Sequence, residues 1–216
     1  MKTFVMGDIH GAYTALRQCL ETSQFNRHED RLICLGDVCD RGPQVKECID
    51  ELLTLPQCVC ILGNHDAWAL TWATEGSAPQ EWLEQGGAQT VLSYKNGMPP
   101  EHIRFLSQAS LYFVDRNRLF VHGGFDPDRP VSETPKEILI WDRSLLKQAQ
   151  EMQNINPEYK FGNFEEVYIG HTPTQKYGKS VPQKFCNVFA MDTGAGHGAK
   201  LSIMDLDTKE FWQANS

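Results

Sequence analysis

The sequence predicts an α/β protein, and three observations predict it. The first third alternates short apolar runs with amphipathic stretches. The second half is a series of short strand-like runs. Most of these runs end in glycine beside Asp, Asn or His, the chemistry of turns at strand ends.

Thr3 to Gly7 is apolar and too short for a helix, so it reads as a buried strand. From Ala12 to about Ser23, Tyr13, Leu16, Cys19 and Leu20 recur at helical spacing. Arg31 to Gly36 is a second strand. Pro43 then suits the first turn of a helix whose apolar face is Ile49, Leu52 and Leu53. Gln57 to Leu62 is a third strand, stopped by Gly63. His65 to Gln108 reads as mainly helical, with breaks at Gly76 to Pro79, Gly86-Gly87 and Asn96 to Pro100. Leu111 to Asp115 and Arg118 to His122 form a hairpin across a tight polar link. One helix is expected around Lys136 to Met152, followed by strands at Val167 to Gly170, Phe185 to Met191 and Lys200 to Asp205. No repeat, low-complexity tract or linker divides the chain, so a single domain over residues 1–216 is expected.

Composition narrows the function. A net charge of −8 with scattered Lys and Arg offers no basic stripe for a phosphate backbone, which argues against nucleic acid as a partner. No apolar stretch is long enough to span a bilayer, and Asp8 interrupts any early apolar leader, so a cytoplasmic protein without a membrane partner is expected. The seven cysteines lack a Cys-x-x-Cys pair and fall mostly in apolar runs. They read as packing residues rather than a disulfide framework.

Five strand-end motifs carry the chemistry: Gly7-Asp8-Ile9-His10-Gly11, Gly36-Asp37-Val38-Cys39-Asp40-Arg41-Gly42, Gly63-Asn64-His65-Asp66, His122-Gly123-Gly124 and Gly170-His171-Thr172-Pro173. Alone, each is ordinary turn chemistry. Together they put ligand-type residues at the ends of separate apolar runs, where α/β sheets bind ligands. Asp8 and His10 alternate on one strand end, as two ligands of one metal should. His122, His171 and Asn64 can serve a second metal, and Asp37 can bridge the pair. Such mixed ligation suits two divalent ions, with Mn²⁺ the first choice and Fe or Zn²⁺ the alternatives. Two such ions share a hydroxide and clamp an in-line displacement at phosphorus. Arg41 can hold phosphate oxygens in a bidentate fork. His65 can protonate the leaving alkoxide while Asp40 orients its imidazole.

In this order the motifs resemble the calcineurin-like metallophosphoesterases, and more narrowly the bacterial and phage phosphoprotein (serine/threonine) phosphatases. The resemblance runs from residue 7 to residue 173. It implies two packed mixed β-sheets flanked by helices, with the active site at their rim. It implies that Asp8, His10 and Asp37 bind one metal and that Asp37, Asn64, His122 and His171 bind the other. It also implies direct attack by the bridging hydroxide, with no phosphoenzyme. His65 and Asp40 match the family's acid dyad and Arg41 its phosphate clamp. Arg143, in Trp141-Asp142-Arg143, is the best match for a second clamping arginine, and Asn64 joins the two arginines at the substrate phosphate.

Two features bear on substrate. Asp66 stands where protein phosphatases more often carry Glu, an ending shared with diadenosine tetraphosphate hydrolases. Against that relative, Asp40 keeps the carboxylate that those hydrolases often replace. A phosphoprotein is therefore the first substrate reading, with diadenosine tetraphosphate or another small phosphorylated metabolite second. A non-catalytic scaffold would be expected to show a gap in the ligand set, and there is none. His197 reads first as a loop histidine, with a place lining the substrate entrance as the alternative, and His28 and His102 are expected to be surface residues. Trp68, Trp72 and Trp82 are expected in the core.

Overall fold

Strands that are apolar on both faces need cover on both sides. The computed structural model, which describes residues 1–216, provides it with two five-stranded sheets packed face to face between helices. In chain order the strands are β1 (Thr3–Met6), β2 (Arg31–Cys34), β3 (Cys58–Cys60), β4 (Tyr112–Asp115), β5 (Arg118–Val121), β6 (Glu166–Ile169), β7 (Gln183–Phe185), β8 (Val188–Ala190), β9 (Lys200–Asp205) and β10 (Phe211–Asn215). The helices are α1 (Tyr13–Thr22), α2 (Val45–Leu53), α3 (Asn64–Glu75), α4 (Gln80–Trp82), α5 (Ala88–Ser93), α6 (Pro100–Ser107), α7 (Lys136–Trp141) and α8 (Ser144–Gln153). One sheet has the order β10-β9-β1-β2-β3 and the other β4-β5-β6-β8-β7. Both are mixed.

Side chains alternate between layers with the period of two that a strand imposes. Phe4, Met6, Leu32 and Cys34 face the helical layer that holds Leu16, Ile49 and Leu52. Val5 and Ile33 instead meet Phe120, Tyr168 and Phe189 from the opposing sheet. Leu119, Val121, Val167 and Ile169 turn away toward Leu139, Leu145 and Leu146. Between the sheets Tyr168 stacks on Phe120 and Phe189, with ring centroids 5.1 and 4.8 Å apart. Such pairs add about 0.5–1.5 kcal/mol beyond their burial.

β1, β2 and β3 run parallel, as do β5, β6 and β8. The chain just after each of these six strands carries a candidate site residue: Asp8, Asp37, Asn64, His122, His171 and Asp192.

Several expectations need correction. The helix expected over 136–152 is two helices. Asp142 is extended between them, and its carboxylate accepts from the Leu145 N–H (2.9 Å) and the Ser144 hydroxyl (2.7 Å). The run 185–191 is not one strand, because Cys186 takes a positive φ of 53° and folds β7 back on β8. β10 was not foreseen. Pro43 precedes α2 rather than opening it, and Leu53 is 44% exposed, not part of its buried face. His102 is not on the surface. It is buried between the Tyr94 hydroxyl (2.8 Å) and the Asp50 carboxylate (2.9 Å), joining α6 to α2. Trp82 is fully buried, and Trp68 and Trp72 pack partly buried against the same core. The hairpin link is Arg116-Asn117, both at positive φ, as a two-residue turn requires.

Candidate metal centre

His10, Asp37, Asp40, Arg41 and His171 all have φ between 48° and 73°, a left-handed conformation that non-glycine residues seldom hold. Such strain persists only where the surroundings enforce it. Here the loops interlock through their backbones: the N–H groups of Ile9 and His10 both donate to the Asp37 carbonyl, at 3.1 and 2.8 Å. A Cβ on Gly63 would collide with the Asp37 side chain, which is why the Asn64 loop needs glycine there. Asp66 ties two loops together. Its carboxylate accepts from the N–H groups of Val38 (2.9 Å), Cys39 (3.0 Å) and Gly63 (3.1 Å).

The imidazoles are oriented by carbonyl oxygens, to which only a protonated nitrogen can donate. His10 Nδ1 donates to the Cys39 carbonyl (2.8 Å) and His122 Nδ1 to the Leu35 carbonyl (2.7 Å). Both therefore turn Nε2 inward. His171 uses Nε2 toward the Trp141 carbonyl (3.1 Å), leaving Nδ1 free. Asp37 lies between them, its Oδ2 at 3.5 Å from His10 Nε2 and 3.4 Å from His122 Nε2. The Asn64 amide oxygen is 3.1 Å from His122 Nε2. Asp8 accepts from the His171 N–H at 3.0 Å. Ligand atoms gather within 4.8 Å of one another in two groups sharing Asp37, namely His10, Asp37 and His65, and Asp37, His122 and His171. All these residues are buried.

The electrostatics fit divalent cations. Burial, with His65 and Arg41 nearby, holds His10 down to about 3, and burial with His122 and Arg143 holds His171 down to about 2. Both are thus neutral, as ligands must be. Burial alone would lower His122 as well, but Asp37 and Asp8 push it up to about 10. Burial and the neighbouring Asp192 and Asp37 raise Asp8 well above the usual carboxylate range, and burial with Asp37 raises Asp192 to about 6. Several buried carboxylates converging on neutral imidazoles and an amide oxygen form a donor set that cations would satisfy.

Beside this group His65 Nδ1 donates to Asp40 Oδ2 at 2.7 Å, and its Nε2 lies 3.5 Å from Arg41 Nη2. Asp40 also accepts from Trp82 Nε1 (2.7 Å) and the Thr90 hydroxyl (2.6 Å). Arg143 donates to the His171 carbonyl and the Thr172 hydroxyl. These groups open into a polar cleft of about 150 Å³, whose lining includes Arg41, Arg143, His65, Lys176 and His197.

The structure thus brings every predicted site residue to one place. Sequence reasoning missed Asp192, Lys176, Trp82 and Thr90 as neighbours of the site. Of the two readings of His197, the structure favours the second: a short 3₁₀ turn, Ala195–His197, puts it on the cleft wall.

Two packed mixed sheets with carboxylate, imidazole and amide donors at their parallel strand ends define a metallophosphoesterase. The chain belongs to the calcineurin-like phosphoesterase family, whose model matches residues 1–194. It is 29% identical over 208 residues to serine/threonine-protein phosphatase 1 of Salmonella typhimurium, covering 93% of this chain and 89% of that protein. It is also 29% identical over 183 residues to a symmetrical bis(5'-nucleosyl)-tetraphosphatase of Pseudomonas syringae, where the match covers 81% of this chain but 56% of the relative. Among solved structures, one described as a diadenosine tetraphosphatase superposes with a TM-score of 0.75 at 20% identity, covering 100% of this chain and 93% of that one. A cold-active protein-tyrosine phosphatase of Shewanella gives 0.62 at 15% identity, covering 99% and 80%. No helix is long and apolar enough to cross a membrane.

Proposed function

We propose that this chain is a metal-dependent phosphoprotein phosphatase that hydrolyses phosphomonoesters in this cleft. The observation that carries the reading is the buried 2.7 Å pair of His65 Nδ1 and Asp40 Oδ2. An alkoxide leaving from a phosphoester is nearly as basic as hydroxide, the conjugate base of water with its pKa of about 15.7. A phosphate group released from a polyphosphate has a second pKa near about 6 and leaves without help. A dedicated acid therefore matters most for alkyl phosphomonoesters.

Asp8, His10 and Asp37 would hold one divalent ion, and Asp37, Asn64, His122 and His171 the other, with Mn²⁺ the first candidate. When bound, such ions supply Lewis acidity toward phosphoryl oxygens and lower the pKa of water. The chain's own residues do the rest. Arg41, Arg143 and Asn64 hold the phosphate, and the arginines meet the charge that spreads over its equatorial oxygens. The Arg41 side chain lines the cleft, where it can meet the phosphate. His65 Nε2 faces the cleft and delivers the proton to the leaving oxygen. Asp40 holds the ring with Nδ1 protonated.

A second reading, hydrolysis of a dinucleoside polyphosphate, has its own observation: Lys176 brings one more cation to the cleft than one phosphomonoester needs, with His197, whose pKa burial pushes down, as a neutral hydrogen-bonding neighbour. A phosphate-release assay separates them. Metal-stripped protein is resupplied with Mn²⁺ and offered phosphoserine, phosphothreonine and phosphotyrosine peptides beside diadenosine tetraphosphate. Faster release from peptides supports the phosphatase reading; faster cleavage of the dinucleotide replaces it with the second.

A further inference from the structure

Asp40 and Arg41 both sit in the left-handed region, at φ 73° and 67°, and neither is a glycine. What holds them is a segment far away in sequence. The Thr90 hydroxyl accepts from the Asp40 N–H (2.9 Å) and donates to Asp40 Oδ1 (2.6 Å), so it grips backbone and carboxylate together. Trp82 Nε1 donates to Asp40 Oδ2 at 2.7 Å, the same oxygen that His65 uses. The Arg41 N–H donates to the Gly86 carbonyl at 3.1 Å. Gly86, at φ 116°, packs so closely on Arg41 that a Cβ there would lie 2.7 Å from the arginine's Cγ. Gly87 packs equally tightly on the Trp82 ring.

Between Trp82 and Thr90 the helical path kinks at Gly86, whose φ of 116° is non-helical, and then continues as α5. Glycine holds such a φ without the strain a Cβ would bring. Across this kink Trp82 and Thr90, both fully buried, reach the same carboxylate from eight residues apart. Nothing else donates to that carboxylate except His65.

We propose that Trp82 and Thr90 are positioning residues, which fix the Asp40 carboxylate so that it presents the His65 imidazole to the leaving group. The proposal rests on the phosphatase reading above. Two fixed donors prevent the carboxylate from rotating, so one oxygen stays committed to His65 Nδ1. Without them Asp40 is free to swing toward the nearby Arg41, and the His65 ring loses its anchor.

Leaving-group dependence provides the test, with the Mn²⁺-loaded protein, a phosphoserine peptide and p-nitrophenyl phosphate as substrates. Thr90→Val keeps the shape and removes the hydroxyl. It should lower kcat on the peptide roughly 10- to 100-fold, the worth of a hydrogen bond to a buried charge. On the aryl ester, whose leaving group needs little protonation, the loss should stay within about threefold. KM and metal content should not change, and Thr90→Ser should recover most of the peptide activity. Trp82→Phe should show the same pattern and carries the test where Thr90→Val does not fold.

Equal losses on both substrates, or none, would overturn the positioning role. His65→Asn is run beside them to separate the two levels. If it too loses equally on both substrates, the acid reading itself has failed. If it alone is selective, only the inference about Trp82 and Thr90 has failed.

Discussion

Replacing His65 with Asn isolates the acid step. The His65 N–H donates to Asp37 Oδ1 at 3.0 Å through the backbone, so the substitution leaves this support of the metal centre in place. Lost is the proton on Nε2, while the Asn amide keeps a donor close to where Nδ1 meets Asp40 at 2.7 Å. A positioned general acid contributes about 10²- to 10⁴-fold, or roughly 2.7–5.4 kcal/mol of barrier at about 1.36 kcal/mol per tenfold. The loss in kcat on a phosphoserine peptide should fall in that range, and on p-nitrophenyl phosphate it should stay below about tenfold. Parallel metal analysis matters, because the His65 ring also lies within ligand spacing of His10 and Asp37. A variant that binds one metal fewer and loses activity equally on both esters would refute the acid assignment and make His65 a ligand.

Three further predictions follow from the same geometry. Arg41→Ala should raise the inhibition constant of inorganic phosphate about 10- to 100-fold, as expected for a lost charge-assisted bond; an unchanged constant removes Arg41 from the phosphate site. Asp66→Ala leaves three buried backbone N–H groups unpaired and should cost at least about 3 kcal/mol in urea unfolding; a cost under about 1 kcal/mol would show that the two loops hold without it. His122 is raised to about 10 by Asp37 and Asp8 in the metal-free chain. Its contribution to stability is therefore full below its unfolded value and lost as pH rises through 10. The metal-free melting temperature should fall from pH 7 to 10, and metal binding should release a proton, seen by calorimetry in two buffers; a flat profile without proton release contradicts this.

Much of the site was legible because each candidate ligand follows an apolar run and adjoins glycine. Asp8, Asp37, Asn64, His122 and His171 all announce themselves that way. Asp192 also follows an apolar run but adjoins no glycine, being flanked by Met191 and Thr193. It escaped notice because the run 185–191 was read as one strand and no histidine stands near enough to suggest a ligand pair. Trp82 and Thr90 were hidden for a different reason. Their apolar neighbours fit helical spacing, and a bond to a carboxylate some 40 to 50 residues away leaves no periodic trace. His102 was misjudged likewise, since its polar helix gives no hint of Asp50 on α2. In the fold, the parallel strands were readable from composition. β10 was not, because its sequence, Phe-Trp-Gln-Ala-Asn, does not alternate as a half-buried strand should.

On the proposed reading this cluster holds two divalent ions around Asp37. Anomalous diffraction at the manganese edge, from crystals grown with Mn²⁺, tests it most directly. Two peaks about 3.5–4 Å apart are expected, one against Asp8, His10 and Asp37 and the other against Asp37, Asn64, His122 and His171. A single peak ligated by His65, or none in this cluster while the protein is active, would contradict it.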